Sequence, residues 1–312
     1  MAYKVFIDGQ EGTTGLKIFE RFQHRDDIDV ITIESEKRKD LKRRLEMMKK
    51  ADITFLCLPD TASKEIIAEA PISARVLDTS TAHRTNKDWV YGFPELNKEQ
   101  RKLIKESNRV AVPGCHATGF ISLVNPLIKL GIANKDYPFT CHSITGYSGG
   151  GKKMIAEYES SDRDNELNSP REYGLSLKHK HLKEMKAITG IDYAPVFSPI
   201  VADYYSGMLA SVPIHTRMLN KKITPKELHE LLSEYYSNQN FVKVKAYGKE
   251  PESGLLGSNN LSGKNTLEIF VFGNEEQILL AARYDNLGKG ASGAAMQCMN
   301  IMLELPEQTG LI

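Results

Sequence analysis

Apolar and polar positions follow two regimes along this chain. In the first third, apolar runs of strand length alternate with stretches of helical spacing. Residues 3–8 are β-branched and aromatic and lead through a turn into a helical pattern over 16–22, residues 52–59 lead into another over 62–70, and residues 30–33 and 74–78 read as further strands. This alternation predicts a parallel sheet covered by helices, with ligands at the carboxyl ends of the strands, here the loops after Ile7, Leu58 and Asp78. From about residue 123 the pattern changes: strands at 139–145, 208–214, 267–272 and 278–284 lie far apart, with helical segments between them. That region reads as α+β, with a mixed or antiparallel sheet suited to an oligomer interface. A last helix is expected over 293–305, and residues 248–264 are the expected mobile loop.

The first turn carries the first candidate chemistry. Gly9, Gly12 and Gly15 are spaced G-x-x-G-x-x-G between a strand and a helix, with Thr13 and Thr14 among them. A strand, a glycine turn and a helix N-terminus make a cradle for a dinucleotide pyrophosphate, although the spacing meets the usual fingerprint only loosely. The next strand ends at Glu34, followed by Ser35, Lys37 and Arg38. A carboxylate there reads a free ribose diol, whereas Ser35, Lys37 and Arg38 suit a 2′-phosphate, and the balance leans toward NADP. Leu58 and Pro59 join the cofactor set because they follow the third strand. The remaining charge run, to residue 50, reads as an exposed helix.

The second candidate is Cys115, which follows Val112-Pro113-Gly114 and opens an apolar run of helical character over 120–124. Unpaired N–H groups at a helix start favour thiolate over thiol, so Cys115 suits a covalent nucleophile. The competing assignment is a buried structural cysteine.

Composition narrows the class without deciding it. The chain has 312 residues, with 41 Lys and Arg against 40 Asp and Glu, so nothing in its charge favours nucleic acid or an anionic membrane. No apolar run reaches the length of a membrane span, and the first residues lead into a strand rather than a signal peptide. Four cysteines are too few for a disulfide framework, which points to a reducing cytoplasm. No C-x-x-C or H-x-x-x-H occurs, so no metal is expected.

Several motifs together resemble one enzyme family. The N-terminal glycines, Val112-Pro113-Gly114-Cys115, the loop from Tyr147 to Lys152, and Asp285-Asn286-Leu287-Gly288-Lys289-Gly290-Ala291 resemble the short subtype of N-acetyl-gamma-glutamyl-phosphate reductase, in the aspartate-semialdehyde dehydrogenase superfamily. Tyr91-Gly92-Phe93-Pro94-Glu95-Leu96-Asn97 and His179-Lys180-His181-x-x-Glu184 add to the resemblance, which spans nearly the whole chain. Departures from the longer subtype lie at Gly150, Lys152 and the segment from Thr79 to Arg84.

The resemblance implies an α/β fold: a Rossmann-type NADP-binding domain over 1–114, completed by a C-terminal helix in 285–312, and an α+β catalytic and dimerisation domain over 115–284. It implies reduction of an acyl phosphate through a Cys115 thioester, with NADP as cofactor and a homodimer or homotetramer as the assembly. Ser148, Gly149, Gly150, Asn286 and Gly290 are then expected at the cofactor, with the Asn286 amide on the nicotinamide carboxamide, and Arg84 and Lys152 at the substrate phosphate. The acid/base is expected at His181, with His179 as second choice and Glu184 one helical turn on to orient the imidazole; His116 and His142 are weaker rivals. Aspartate-semialdehyde dehydrogenase and the aminoadipyl-phosphate reductase of lysine synthesis remain alternatives, as does a catalytically silent NADP-binding protein, against which Cys115 beside a candidate histidine argues.

Overall fold

The computed structural model describes residues 2–248 and 254–311, and the chain divides into two compact units, Met1–Gly114 with Ala291–Ile312, and Cys115–Gly290. Residues 249–253 of the loop expected at 248–264 lie outside the described residues. Among the described residues no helix is long and apolar enough to cross a membrane.

The first unit is built on β1 (Tyr3–Asp8), β2 (Ile28–Ile31), β3 (Ile53–Leu56), β4 (Val76–Asp78), β5 (Val90–Tyr91) and β6 (Arg109–Ala111). Among the described residues they form one sheet in the order β2-β1-β3-β4-β6-β5, with every pairing parallel. Parallel neighbours need crossovers. Helices α1 (Thr13–Phe22), α2 (Leu41–Lys50), α3 (Asp60–Glu69) and α4 (Gln100–Glu106) supply them. Phe6, Leu56, Ile66, Val76 and Trp89 pack into one core with Met47 and Met48 of α2. The charge run is therefore not wholly a solvated face: its Arg44 is 6% exposed and pairs with Asp8 at the end of β1 (2.8 Å).

The second unit contains α5 (Cys115–Lys129), β7 (Thr140–Gly146), α6 (Gly151–Tyr158), β8 (Arg171–Glu172), α7 (Leu182–Thr189), β9 (Val196–Ala202), β10 (Met208–His215), α8 (Pro225–Tyr235), β11 (Val242–Val244), β12 (Leu267–Gly273) and β13 (Gln277–Tyr284). Its described strands form a mixed sheet in the order β11-β12-β13-β10-β7-β9-β8. Helix α5 packs on β10, β13 and α7. It carries Pro126, which has no N–H for the Ser122 carbonyl, and the Tyr236 hydroxyl donates to that carbonyl instead (2.8 Å).

The segment expected as a helix within 285–312 is a π turn at Gly288–Ser292 followed by α9 (Gly293–Met302), and residues 303–311 are not helical. Residues 285–290 fall in the second unit. The rest is tied to the first: Arg25 donates to Thr309 O (2.9 Å) and Asn300 Oδ1 (3.2 Å), and Gln297 donates to Glu95 Oε1 (2.8 Å).

Candidate active site

In the first unit, candidate residues gather at the carboxyl ends of the parallel strands. After β1, Gly9 has φ 88°, and a Cβ there would sit 2.3 Å from the Cys57 carbonyl oxygen, so the turn admits no side chain. Gly12 gives α1 no side-chain cap, which presents the first-turn N–H groups of Thr13, Thr14 and Gly15 to a ligand. A Cβ on Gly15 would lie 2.5 Å from Gly9 O, so helix and turn touch through their backbones. This cradle fits a pyrophosphate. Leu58 and Pro59 follow β3, with Pro59 as the N-cap of α3.

Beyond β2, Ser35–Lys37 forms one 3-10 turn, and Arg38 pairs with Glu11. Glu34 accepts from Arg43 Nε (3.0 Å) and Nη2 (2.9 Å), and that guanidinium holds its carboxyl down at about 2. A carboxylate gripped on both oxygens is a poor acceptor for a ribose diol, which leaves Ser35 and Lys37 beside it, with Arg38 drawn to Glu11.

The end of β4 carries a buried polar cluster. Asp78 Oδ2 accepts from Ser63 Oγ (3.0 Å) and Ser80 Oγ (2.8 Å) and pairs with His83 Nδ1 (2.6 Å), whose ring stacks on Trp89. This fixes the turn that delivers Arg84. Arg84 Nε donates to Val112 O and Nη2 to Thr79 O, both at 2.8 Å. Arg84, expected at a substrate phosphate, braces the Val112-Pro113-Gly114 turn through these two bonds.

In the second unit, Cys115 is the first residue of α5, and its thiol is half-buried. Burial pushes the Cys57 and Cys141 thiols up to about 12, which removes them as nucleophiles near neutral pH. The opening turn of α5 is unusual. The Tyr284 hydroxyl accepts from the Gly119 N–H (3.1 Å) and donates to the Cys115 carbonyl (2.7 Å), so it stands between two groups that an unbroken helix would join directly. Gly119 makes room for it: a Cβ there would lie 2.5 Å from the Tyr284 hydroxyl. Gly290, expected at the cofactor, abuts the nucleophile, since a Cβ there would be 3.0 Å from Cys115 Cβ.

Three histidines surround this turn. The ring of His116 lies 5.6 Å from that of His179 and 5.7 Å from that of His181, and Phe197 closes the group at 5.2 Å from His116. His116 is buried between Ser143 Oγ (2.7 Å from Nδ1) and the Tyr173 hydroxyl (2.5 Å from Nε2). Burial, with His179 and Lys180 nearby, lowers its pKa to about 3. Burial and Lys180 lower His179 to about 4. His179 Nδ1 accepts the His181 N–H (3.2 Å), so the neutral ring carries its proton on Nε2. His181 is the N-cap of α7, and its Nε2 lies 3.9 Å from Oε1 of the buried Glu184. His142 is exposed on β7 and points away from Ser143, on the opposite face of the sheet.

These shifts set a pH response. Free histidine titrates near 6.5, so below that pH the unfolded chain takes up protons that His116 and His179 refuse. Their contribution to stability is complete above about 6.5 and is lost as pH falls toward about 4 and then about 3. Thermal melts at pH 7 and pH 5 are expected to show a loss of Tm that is smaller in His116→Gln; equal losses would contradict the assignment.

The remaining expected residues are divided. Ser148, Gly149 and Gly150 form one 3-10 turn after β7. Asn286 does not present its amide outward. Its Oδ1 accepts from Gly207 N (2.9 Å) and its Nδ2 donates to Ser148 Oγ (3.0 Å), so it holds the Ser148 turn where a nicotinamide contact was expected. Lys152 is exposed on α6. Among the described residues no group of three or more His, Cys, Asp and Glu is placed to hold a metal ion. Sequence reasoning missed Ser143, Tyr173 and Tyr284, and the signals for two of them are faint: a histidine directly after the nucleophile, and a glycine four residues beyond it.

Residues 4–104 match the semialdehyde dehydrogenase NAD-binding domain, and residues 115–286 match the semialdehyde dehydrogenase dimerisation domain. The chain belongs to the semialdehyde dehydrogenase family. Within that family it is 42% identical to N-acetyl-gamma-glutamyl-phosphate reductase 2 of a Nostoc species, over 99% of both chains. It is 44% identical to the N-acetyl-gamma-glutamyl-phosphate reductase of Brucella ovis, over 97% of this chain and 99% of that one. Its fold is that of the semialdehyde dehydrogenases of known structure. Aspartate semialdehyde dehydrogenase II of Vibrio cholerae superposes with a TM-score of 0.69 at 17% identity, and aspartate semialdehyde dehydrogenase of Francisella tularensis with 0.71 at 16%; each covers 97% of this chain and at least 99% of its own.

Proposed function

We propose that this chain reduces N-acetyl-gamma-glutamyl phosphate to N-acetyl-glutamate 5-semialdehyde and phosphate, with NADPH as reductant, in arginine biosynthesis. One observation carries this reading: a half-buried thiol opens α5 beside a histidine cluster, in a chain 42–44% identical over at least 97% of its length to proteins named for that reaction. The fold is equally that of the aspartate enzymes, but those relatives are under 20% identical and speak only for architecture.

The chemistry follows from the residues. An acyl phosphate is a mixed anhydride, and the Cys115 thiolate displaces phosphate to leave a thioester. The nicotinamide supplies hydride when bound. His181, oriented by Glu184, gives a proton to the oxygen of the acyl carbon and takes it back when the aldehyde is released. The open start of α1 would hold the pyrophosphate, and Ser35, Lys37 and Arg38 the 2′-phosphate. Lys152 would meet the substrate phosphate, and the Ser148 turn the cofactor. We place the enzyme in the cytoplasm as a homodimer or homotetramer.

The test runs the reaction backward, with NADP, phosphate and either semialdehyde. N-acetyl-glutamate 5-semialdehyde should support turnover, and aspartate semialdehyde at least about a hundredfold less in kcat/KM. A preference for the aspartate compound would overturn the reading. In the forward direction NADPH should exceed NADH by about tenfold or more in kcat/KM, the worth of one charge-assisted contact. Equal values would return Glu34 to the ribose.

A further inference from the structure

A hydrogen count in the histidine cluster identifies a donor that the mechanism above does not use. Ser143, His116 and Tyr173 form a chain of two hydrogen bonds, Oγ to Nδ1 at 2.7 Å and Nε2 to the phenol at 2.5 Å. His116 is neutral near pH 7, because burial depresses its pKa to about 3, so its ring has one N–H. The chain thus holds three hydrogens, one each on serine, histidine and tyrosine, for two bonds. One is left over, and it lies at one end or the other.

Burial decides which end. Ser143 is fully buried on β7, and among the described residues its hydroxyl has one side-chain partner, His116 Nδ1. A leftover hydrogen on Ser143 would be sealed in the protein without an acceptor, a cost buried hydroxyls avoid. Ser143 therefore donates to Nδ1, and the tautomer follows from the network: the ring proton is on Nε2 and is donated to the Tyr173 oxygen. The Tyr173 hydrogen is then the spare one. Tyr173 is half-buried, whereas Ser143 is fully buried. Burial, and after it the charge of a Cys115 thiolate, raise the phenol pKa and keep it protonated. The other tyrosine at the turn is already engaged, since the Tyr284 hydrogen goes to the Cys115 carbonyl.

We propose that Tyr173 is a catalytic hydrogen-bond donor, its free O–H aimed at the acyl oxygen of the substrate, with Ser143 and His116 as positioning residues that fix its direction. The proposal rests on the function stated above for its natural substrate, but not for its test. In the acylation step the Cys115 sulfur forms a bond to the acyl carbon and the carbonyl π pair moves onto oxygen. Tyr173 donates a hydrogen bond to that oxyanion and keeps its proton. The π bond then re-forms as the bond from carbon to the phosphate oxygen breaks, and phosphate leaves with the electron pair.

Two electrophiles that the same thiolate attacks by different routes test this. Acylation of Cys115 by p-nitrophenyl acetate passes through a tetrahedral oxyanion, whereas alkylation by iodoacetamide does not. In Tyr173→Phe the acylation rate should fall by about a hundredfold, the usual cost of one oxyanion donor, while the rate and pH midpoint of alkylation stay unchanged. Ser143→Ala frees Tyr173 to donate back to His116, and acylation should fall by about threefold or more with alkylation again unchanged. Unchanged acylation in Tyr173→Phe overturns the proposal. So does an equal loss in both reactions, which would mean the phenol serves the thiolate or the packing instead. Neither reagent depends on the natural substrate, so a failure of the reductase reading in the semialdehyde assay leaves this result standing by itself.

Discussion

Cys115→Ala should reduce less than about one per cent of the acyl phosphate that the wild type reduces in the same time, with dinucleotide affinity within about twofold. The loss is expected to be near complete because no other thiol can substitute. Cys57 and Cys141 are held near 12 by burial, and Cys298 is fully buried with its sulfur 3.3 Å from the Gly92 carbonyl oxygen. Without the thioester, hydride would have to reach the acyl phosphate directly, and the barrier that covalent catalysis removes would return, several kcal/mol at the least. Dinucleotide affinity should hold because the glycine cradle, Lys37 and Arg38 belong to the first compact unit, whereas Cys115 opens the second. The same expectation extends to Gly290→Ala in weaker form, since its Cβ would press on Cys115 Cβ from 3.0 Å and displace the nucleophile.

The second large effect is expected at His181. Replacing it with asparagine should lower kcat by roughly 10²–10³, with thiol alkylation intact, because it removes a proton donor and not the nucleophile. His179→Asn should cost far less. The His179 ring accepts the His181 N–H at Nδ1 and is depressed to about 4, so near neutral pH it carries no acidic proton to give. His181, in contrast, has the Glu184 carboxylate 3.9 Å from Nε2. Steady-state pH profiles of both variants separate the two residues. The limb that reports the general acid should vanish in His181→Asn and persist in His179→Asn; the reverse pattern would transfer the role to His179.

How much of the fold and the site could be read from the sequence depended on how local each signal was. The strand that starts at Tyr3, its glycine turn and the helix start at Cys115 are set by neighbouring residues, and all were legible. Strand β9 was not, because Pro199 lies in its middle and proline argues against a sheet interior. There Pro199 stands in register with Ser143 of the parallel neighbour β7, and its carbonyl accepts the Tyr173 N–H (3.0 Å). Arg44 sat in a run of charges that looked solvated, and only pairing with Asp8 reveals it as buried. Tyr284 reaches Cys115 across 169 positions of sequence, so no motif links them. Arg84 and Asn286 were read by resemblance as ligand contacts; in the fold Arg84 Nε and Nη2 hold the Val112 and Thr79 carbonyls, and the Asn286 amide holds the Gly207 N–H and the Ser148 hydroxyl. Residue identity announced that these positions mattered; geometry alone told what they hold.

The central claim is a thioester on Cys115, and a single-turnover burst tests it most directly. Enzyme is mixed with N-acetyl-glutamate 5-semialdehyde and NADP in the absence of phosphate, and NADPH absorbance is followed while the Cys115 peptide is analysed by mass spectrometry. The account predicts a burst of about one NADPH per active site, an N-acetyl-glutamyl group on Cys115, and renewed turnover only when phosphate is added to release it. Sustained turnover without phosphate, or a burst with Cys115 unmodified, would contradict it.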